Sequence, residues 1–135
     1  MDEKIIEKIR EIADEKKFIQ AVYLFGSQAK GNADTDSDID IAVLLENDYT
    51  EKSGEIKIKL YEELIKAGLD NIDLVILNQA SALLKYEVVK ENYLVYKKND
   101  FEAASYQSLM IRKYLDFEYY LKQNQQKFKE RILNG

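Results

Sequence analysis

The sequence predicts a mixed α/β fold of the α+β type: a small mixed sheet flanked by helices, with a long C-terminal helix. Three observations predict it. Stretches with helical spacing of apolar residues alternate with short runs rich in β-branched and aromatic residues. Of the 135 residues, 46 % are apolar, enough to bury one real core and too many for a disordered chain. The final stretch, from residue 101 onward, reads as one continuous helical pattern. The organisation expected is a domain over 1–98 and a helical tail over 99–135 that packs on the domain or on a partner.

Residues 3–17 read as a helix because Ile5, Ile9, Ile12 and Ala13 recur at helical spacing with charges between them. "FIQAVYLFG" (18–26) reads as a strand, and "DIDIAVLL" (38–45) as a second. The second strand alternates in its first half and is apolar on both faces in its second, the pattern of a strand that leaves a wet cleft and enters a covered sheet. Residues 50–67 form a helix with Ile56, Leu60, Leu64 and Ile65 on one stripe, and Gly68 is placed to end it. "NIDLVILN" (71–78) is a third strand. Ser81 caps a helix over 82–91, and "YLVYKK" (93–98) is a short fourth strand. In the helix over 101–133, Met110, Tyr114, Phe117, Leu121, Phe128 and Ile132 fall near heptad spacing, interrupted by Asn124.

Composition narrows the chemistry. There is no cysteine and no histidine, which excludes disulfides, thiolate metal sites, imidazole bases and histidine-bound zinc. Net charge is −5 with no long basic run, so direct nucleic-acid binding has no support. The charged start, "MDEKIIEKIR", lacks the apolar core of a signal peptide, and no apolar run has the length of a membrane span. A cytoplasmic protein with no membrane association is the expectation. Catalysis must rest on carboxylates, Lys, Arg, Tyr and Ser, with a hard metal ion where one is needed.

The stretch "YLFGSQAKGNADTDSDIDIAVLL" (23–45) concentrates that chemistry. Side chains alternate along a strand, so Asp38 and Asp40 share a face. Two ionised carboxylates so close repel each other, and no Lys or Arg lies in the strand to separate them. Mg²⁺, which takes one or two carboxylates plus substrate phosphates, is the better counter-charge. Asp73 sits in an apolar strand, where an acid is costly unless it faces a polar site. If the strands at 38–45 and 71–78 are neighbours, the three acids converge on a site for two metal ions. Glycine lets the backbone approach a ligand, free N–H groups in a turn cradle phosphate, and Ser27 adds a hydroxyl. Gly26-Ser27 is therefore a candidate nucleotide-binding turn, followed by a ten-residue loop (28–37). Taken singly, each of these features is ordinary: a Gly-Ser turn, a solvated strand edge, a strand-end acid. Their joint spacing is not.

That spacing, Gly-Ser, ten residues, then D-x-D and a third acid on a later strand, resembles the DNA polymerase β-like nucleotidyltransferase superfamily. The small size is similar to minimal nucleotidyltransferases, the MNT antitoxins of HEPN/MNT toxin–antitoxin pairs above all. The resemblance covers roughly residues 5–98. It implies an enzyme that uses ATP and Mg²⁺ to transfer AMP to a tyrosine hydroxyl of a partner HEPN ribonuclease toxin and so silences it. It also implies roles. Gly26 and Ser27 hold the triphosphate, with Asp38 and Asp40 binding the metals. Asp73 binds the metal shared with the acceptor or serves as base for its hydroxyl. Many relatives carry an arginine in the loop after the turn; here residues 28–31 are Gln28-Ala29-Lys30-Gly31, and Lys30 lacks the bidentate fork. Two other readings stand beside this one: transfer to a small hydroxyl acceptor such as an aminoglycoside, and an antitoxin that neutralises by binding alone. The small tail argues against the first, the complete acid triad against the second.

Overall fold

The computed structural model describes residues 3–26 and 38–134. Helix α1 spans Glu3–Asp14, strand β1 Ile19–Phe25 and strand β2 Ile39–Leu45. A 3-10 helix over Asn47–Lys52 leads into α2, Ser53–Lys66, and strand β3 follows at Ile72–Ile76. A 3-10 turn over Leu77–Gln79 precedes α3 (Ala82–Glu91), β4 (Tyr93–Lys97) and α4 (Ala103–Asn134). The four strands form one sheet in the order β3-β2-β1-β4. β1 runs antiparallel to β2 and β4, while β2 and β3 are parallel, joined through α2.

The strands' period-two pattern divides the core between the two faces of the sheet. On one face Val22, Leu24, Ile41, Val43 and Leu74 pack against Ile9 and Ala13 of α1 and against Ile56, Leu60 and Leu64 of α2. On the other, Ala21, Tyr23, Ala42 and Leu44 are covered by Val88 of α3 and by Phe101, with Tyr106 of α4 packed alongside. Covering both faces is what lets the second half of β2 be apolar throughout. The edge strand β3 is blunted by α2: the Tyr61 hydroxyl accepts from the Leu74 N–H at 2.8 Å.

Helix ends follow local sequence. α2 closes in a Schellman arrangement: Gly68, at φ +89°, donates to the Ile65 carbonyl, and Leu69 donates to that of Leu64. The Ser81 side chain accepts from the Leu84 N–H at 3.1 Å and caps α3 as expected. Most boundaries shift by a residue or two, and three of the shifts have a visible cause. The first helix stops at Asp14 rather than 17, where the Lys16 N–H turns back to the Ala13 carbonyl. The second begins at Ser53 rather than 50, behind the 3-10 segment. The third strand ends at Ile76, not 78, because Asn78 replaces the backbone ladder with its side chain. The Asn78 amide accepts from the Leu45 N–H (2.8 Å) and donates to the Leu45 carbonyl (2.9 Å), which frees Leu77 to turn inward and be buried.

α4 has two halves. Its first turns lie along α3, with Met110 buried and Tyr114 stacked on Tyr86 at 4.4 Å between ring centroids. From Tyr119 to Asn134 every residue is exposed, including Leu121, Phe128, Ile132 and Leu133. Among the described residues, no helix is long and apolar enough to cross a membrane.

Candidate active site

Three chain segments meet at one end of the sheet. The C-terminus of β1 lies across from the N-terminus of β2, with Phe25 opposite Asp40. The N-terminus of β3 lies beside it in parallel register, with Asp40 opposite Asp73. Partners in parallel register point to the same face, so Asp40 and Asp73 stand side by side. Asp38 immediately precedes β2, whose first residue is Ile39, and the Ile39 N–H is held by the Asn71 carbonyl at 2.8 Å. Asp38 and Asp73 are exposed; Asp40 is half-buried. This is also the face covered by α3 and α4 further along the sheet, but the cover stops short of these acids.

The Asp40 carboxyl is pushed above its ordinary range, first by burial, then by the negative charges of Asp73, Asp38 and Glu91. Four acids thus share one field. Among the described residues, no three of them are drawn tightly enough together to hold a metal ion as they stand. What the site offers is an all-oxygen donor set carrying several negative charges, which fits a hard divalent cation such as Mg²⁺ better than a softer one.

Gly26 sits directly over Asp40. Its φ is +73°, a backbone conformation that side chains rarely adopt. A Cβ built on it would come 3.3 Å from the Asp40 Cγ and collide with the carboxylate oxygen Oδ2. Only glycine allows the chain to pass this close to the acid. The Gly26 N–H is not free, however. It donates to Glu91 Oε2 at 3.1 Å. Ser27 and the loop with Lys30 lie outside the described residues. Glu91 escaped the sequence reading because nothing in spacing links it to residue 26. The one local signal was an acid as the last residue of a helix, where the macrodipole disfavours it.

A family model described as "Polymerase beta, Nucleotidyltransferase" matches residues 7–101. The chain belongs to this nucleotidyltransferase family. Its Gly26, Asp38, Asp40, Asp73 and Glu91 all lie inside the matched region. A relative from Shewanella oneidensis, named protein adenylyltransferase MntA, is 30% identical over 118 residues, covering 87% of this chain and 81% of its own. Another of the same name, from Aphanizomenon flos-aquae, is 29% identical over 105 residues, or 70% of this chain and 67% of its own. A solved toxin–antitoxin structure with AMP-PNP superposes with a TM-score of 0.63 at 26% identity, covering 98% of this chain and 99% of that one. So does a complex of a tri-AMPylated Shewanella oneidensis HEPN toxin with its MNT antitoxin, with a TM-score of 0.62 at 25% identity over 98% of this chain and 99% of that one. The two solved chains thus align with nearly the whole length of this chain, whereas the family model ends at residue 101.

Proposed function

We propose that this nucleotidyltransferase is a Mg²⁺-dependent protein adenylyltransferase that moves AMP from ATP to a tyrosine hydroxyl of a cognate HEPN toxin, and so acts as the toxin's antitoxin. The observation that carries the reading is the in-register pair Asp40–Asp73, flanked by Asp38 and approached by the Gly26 backbone, in a chain alike from end to end to proteins with that activity and that partner. An ATP-dependent reaction suits the cytoplasm.

Asp38 and Asp40 would hold the ion or ions, and Asp73 would either hold an ion nearer the acceptor or take the acceptor's proton. When bound, Mg²⁺ supplies the positive charge that neutralises the triphosphate and the charge developing on it. The Gly26-Ser27 turn orients the triphosphate. The tyrosine oxygen forms a bond to the α-phosphorus as the bond from that phosphorus to the bridging oxygen breaks, and pyrophosphate leaves. The tyrosine proton passes to a carboxylate. Asp73 is suited to accept it, being exposed on the open side of the pair, where a hydroxyl from a second protein can reach it. The exposed apolar residues of α4 between Phe117 and Ile132 provide a surface for that second protein.

The test is the intact mass of the HEPN protein after co-expression with this chain, and with its Asp38→Ala/Asp40→Ala variant. The expected result is a mass increase of one or more AMP units that disappears with the double variant. A stable complex with no mass increase would make the protein an antitoxin by binding alone.

A further inference from the structure

We propose that Glu91 is a positioning residue of the nucleotide site: its carboxylate, presented from the end of α3, clamps the Gly26 backbone in place over Asp40. The inference rests on the nucleotidyltransferase reading above and adds a residue to it. The bond from the Gly26 N–H to Glu91 Oε2 spans 65 residues of sequence, so no local turn accounts for it. Both ends of the clamp are held. On the Glu91 side, Val88 and Val89 are fully buried, and the chain leaves α3 through Asn92 at φ +54°, whose N–H returns to the Val88 carbonyl. On the Gly26 side, Phe25 is paired with Asp40 in the β1–β2 ladder. Between them, the Gly26 Cα rests against the Asp40 carboxylate with no room for a methyl group.

An acid is a poor choice for this position unless its carboxylate is needed there. Glu91 ends a helix, where a negative charge meets the negative pole of the macrodipole, and it adds to the like charge around Asp40. A carboxylate is nevertheless the strongest acceptor a side chain offers to a backbone N–H. Its reach fixes the backbone at Gly26, immediately after the end of β1. A turn that must meet a triphosphate within a fraction of an ångström needs such support. Glu91 itself need not touch the nucleotide.

Two variants separate reach from charge. Glu91→Asp keeps the charge but withdraws the carboxylate by one methylene, whereas Glu91→Gln keeps the reach and an acceptor oxygen but loses the charge. Affinity for Mg²⁺·AMP-PNP is measured by calorimetry, with hydrogen exchange of the Gly26 amide followed by NMR and far-UV circular dichroism as the folding control. The positioning role predicts that Glu91→Asp weakens nucleotide binding by about tenfold or more, whereas Glu91→Gln stays within about threefold of wild type. It also predicts a Gly26 amide protected in wild type and in Glu91→Gln, and unprotected in Glu91→Asp. A loss in Glu91→Gln as large as that in Glu91→Asp would mean that charge matters as much as reach; wild-type affinity in Glu91→Asp would mean that reach does not matter. Either result overturns the proposal. If the wild type itself binds no nucleotide, the proposed function fails, and the exchange of Gly26 still decides whether the clamp exists. If Glu91→Asp does not fold, a wild-type Gly26 amide exchanging at the solvent rate overturns the proposal.

Discussion

Replacing Gly26 with alanine tests the closest approach in the candidate site, and two other glycines in the chain calibrate it. Gly26 and Gly68 both have positive φ, +73° and +89°. An alanine at either position bears the cost of the left-handed backbone, about 1–2 kcal/mol. At Gly68 that is the whole cost, because the nearest atom to a new Cβ is the Lys8 Nζ at 3.9 Å, the mobile end of a long side chain. At Gly26 the new methyl overlaps the Asp40 carboxylate, whose short side chain springs from a paired strand and has little room to yield. That overlap adds the penalty of overpacking, about 1–3 kcal/mol, for a total of about 2–5 kcal/mol. Gly54 is the opposite control: it lies near the start of α2 with nothing within 4 Å, so alanine there stabilises by about 0.5–1 kcal/mol. Urea unfolding of the three variants supplies the numbers. The expected order of stability is Gly54→Ala above wild type, then Gly68→Ala, then Gly26→Ala, with AMP transfer lost only in the last. A Gly26→Ala variant no less stable than Gly68→Ala would refute the close approach of backbone to acid.

Three further outcomes follow. The Tyr23 hydroxyl is buried and finds no hydrogen-bond partner among the described residues, so Tyr23→Phe should leave neutral-pH stability unchanged or raise it by about 1 kcal/mol. Burial also pushes the Tyr23 pKa to about 12, against about 10 in the unfolded chain. The folded state therefore keeps a proton that the unfolded state gives up. The resulting stability is intact below pH 10 and drains away as pH rises to 12, by about 2–3 kcal/mol, and the drain should be smaller in Tyr23→Phe when urea midpoints are compared over that range. Asp40→Asn removes one of the mutually repelling charges and should raise the melting temperature of the metal-free protein while abolishing AMP transfer; a lower melting temperature would contradict the acidic field described for the site. Deleting 119–134, which are exposed throughout, should change unfolding free energy by less than about 1 kcal/mol yet prevent co-elution with the HEPN partner on size exclusion; a large stability loss would place those residues in the fold.

What could be read from sequence was whatever is encoded locally. Ser81 and Gly68 punctuate helices through bonds to residues three to five positions away, so their roles are legible in a short window. The alternation in "DIDIAVLL" reports the acids' shared face for the same reason. Asn78 and Glu91 were not legible, because their partners, Leu45 and Gly26, lie 33 and 65 residues away and no periodicity marks such a bond. The end of β3 was missed on that account. Leu77 is as apolar as the strand before it, and only the contact between Asn78 and Leu45 shows that the ladder has passed from backbone to side chain. The bond from the Gly26 N–H to Glu91 is hidden from the sequence likewise, since its acceptor comes from another helix. A lone acid at the end of a helix is a faint sign of a distant partner, and it gives no hint of which residue that partner is.

The placement of Asp73 depends on topology more than on its own strand. Because α2 carries the chain back before β3 begins, β2 and β3 run in the same direction, and both start at the end of the sheet where β1 finishes. A tight hairpin between β2 and β3 would have reversed β3 and carried its second residue toward the far end of β2, about 15–20 Å away for strands of this length. Antiparallel pairing is what brings the end of β1, and with it Gly26, to the same place. One parallel and one antiparallel neighbour are thus the minimum that puts a glycine turn and two acids from three strands on one edge. β2 must be the strand between them, and so the densest acidic sequence in the chain falls on it. The glycine–acid spacing along residues 26–40 reports only half of this arrangement. The crossover through α2 completes it by setting Asp73 opposite Asp40.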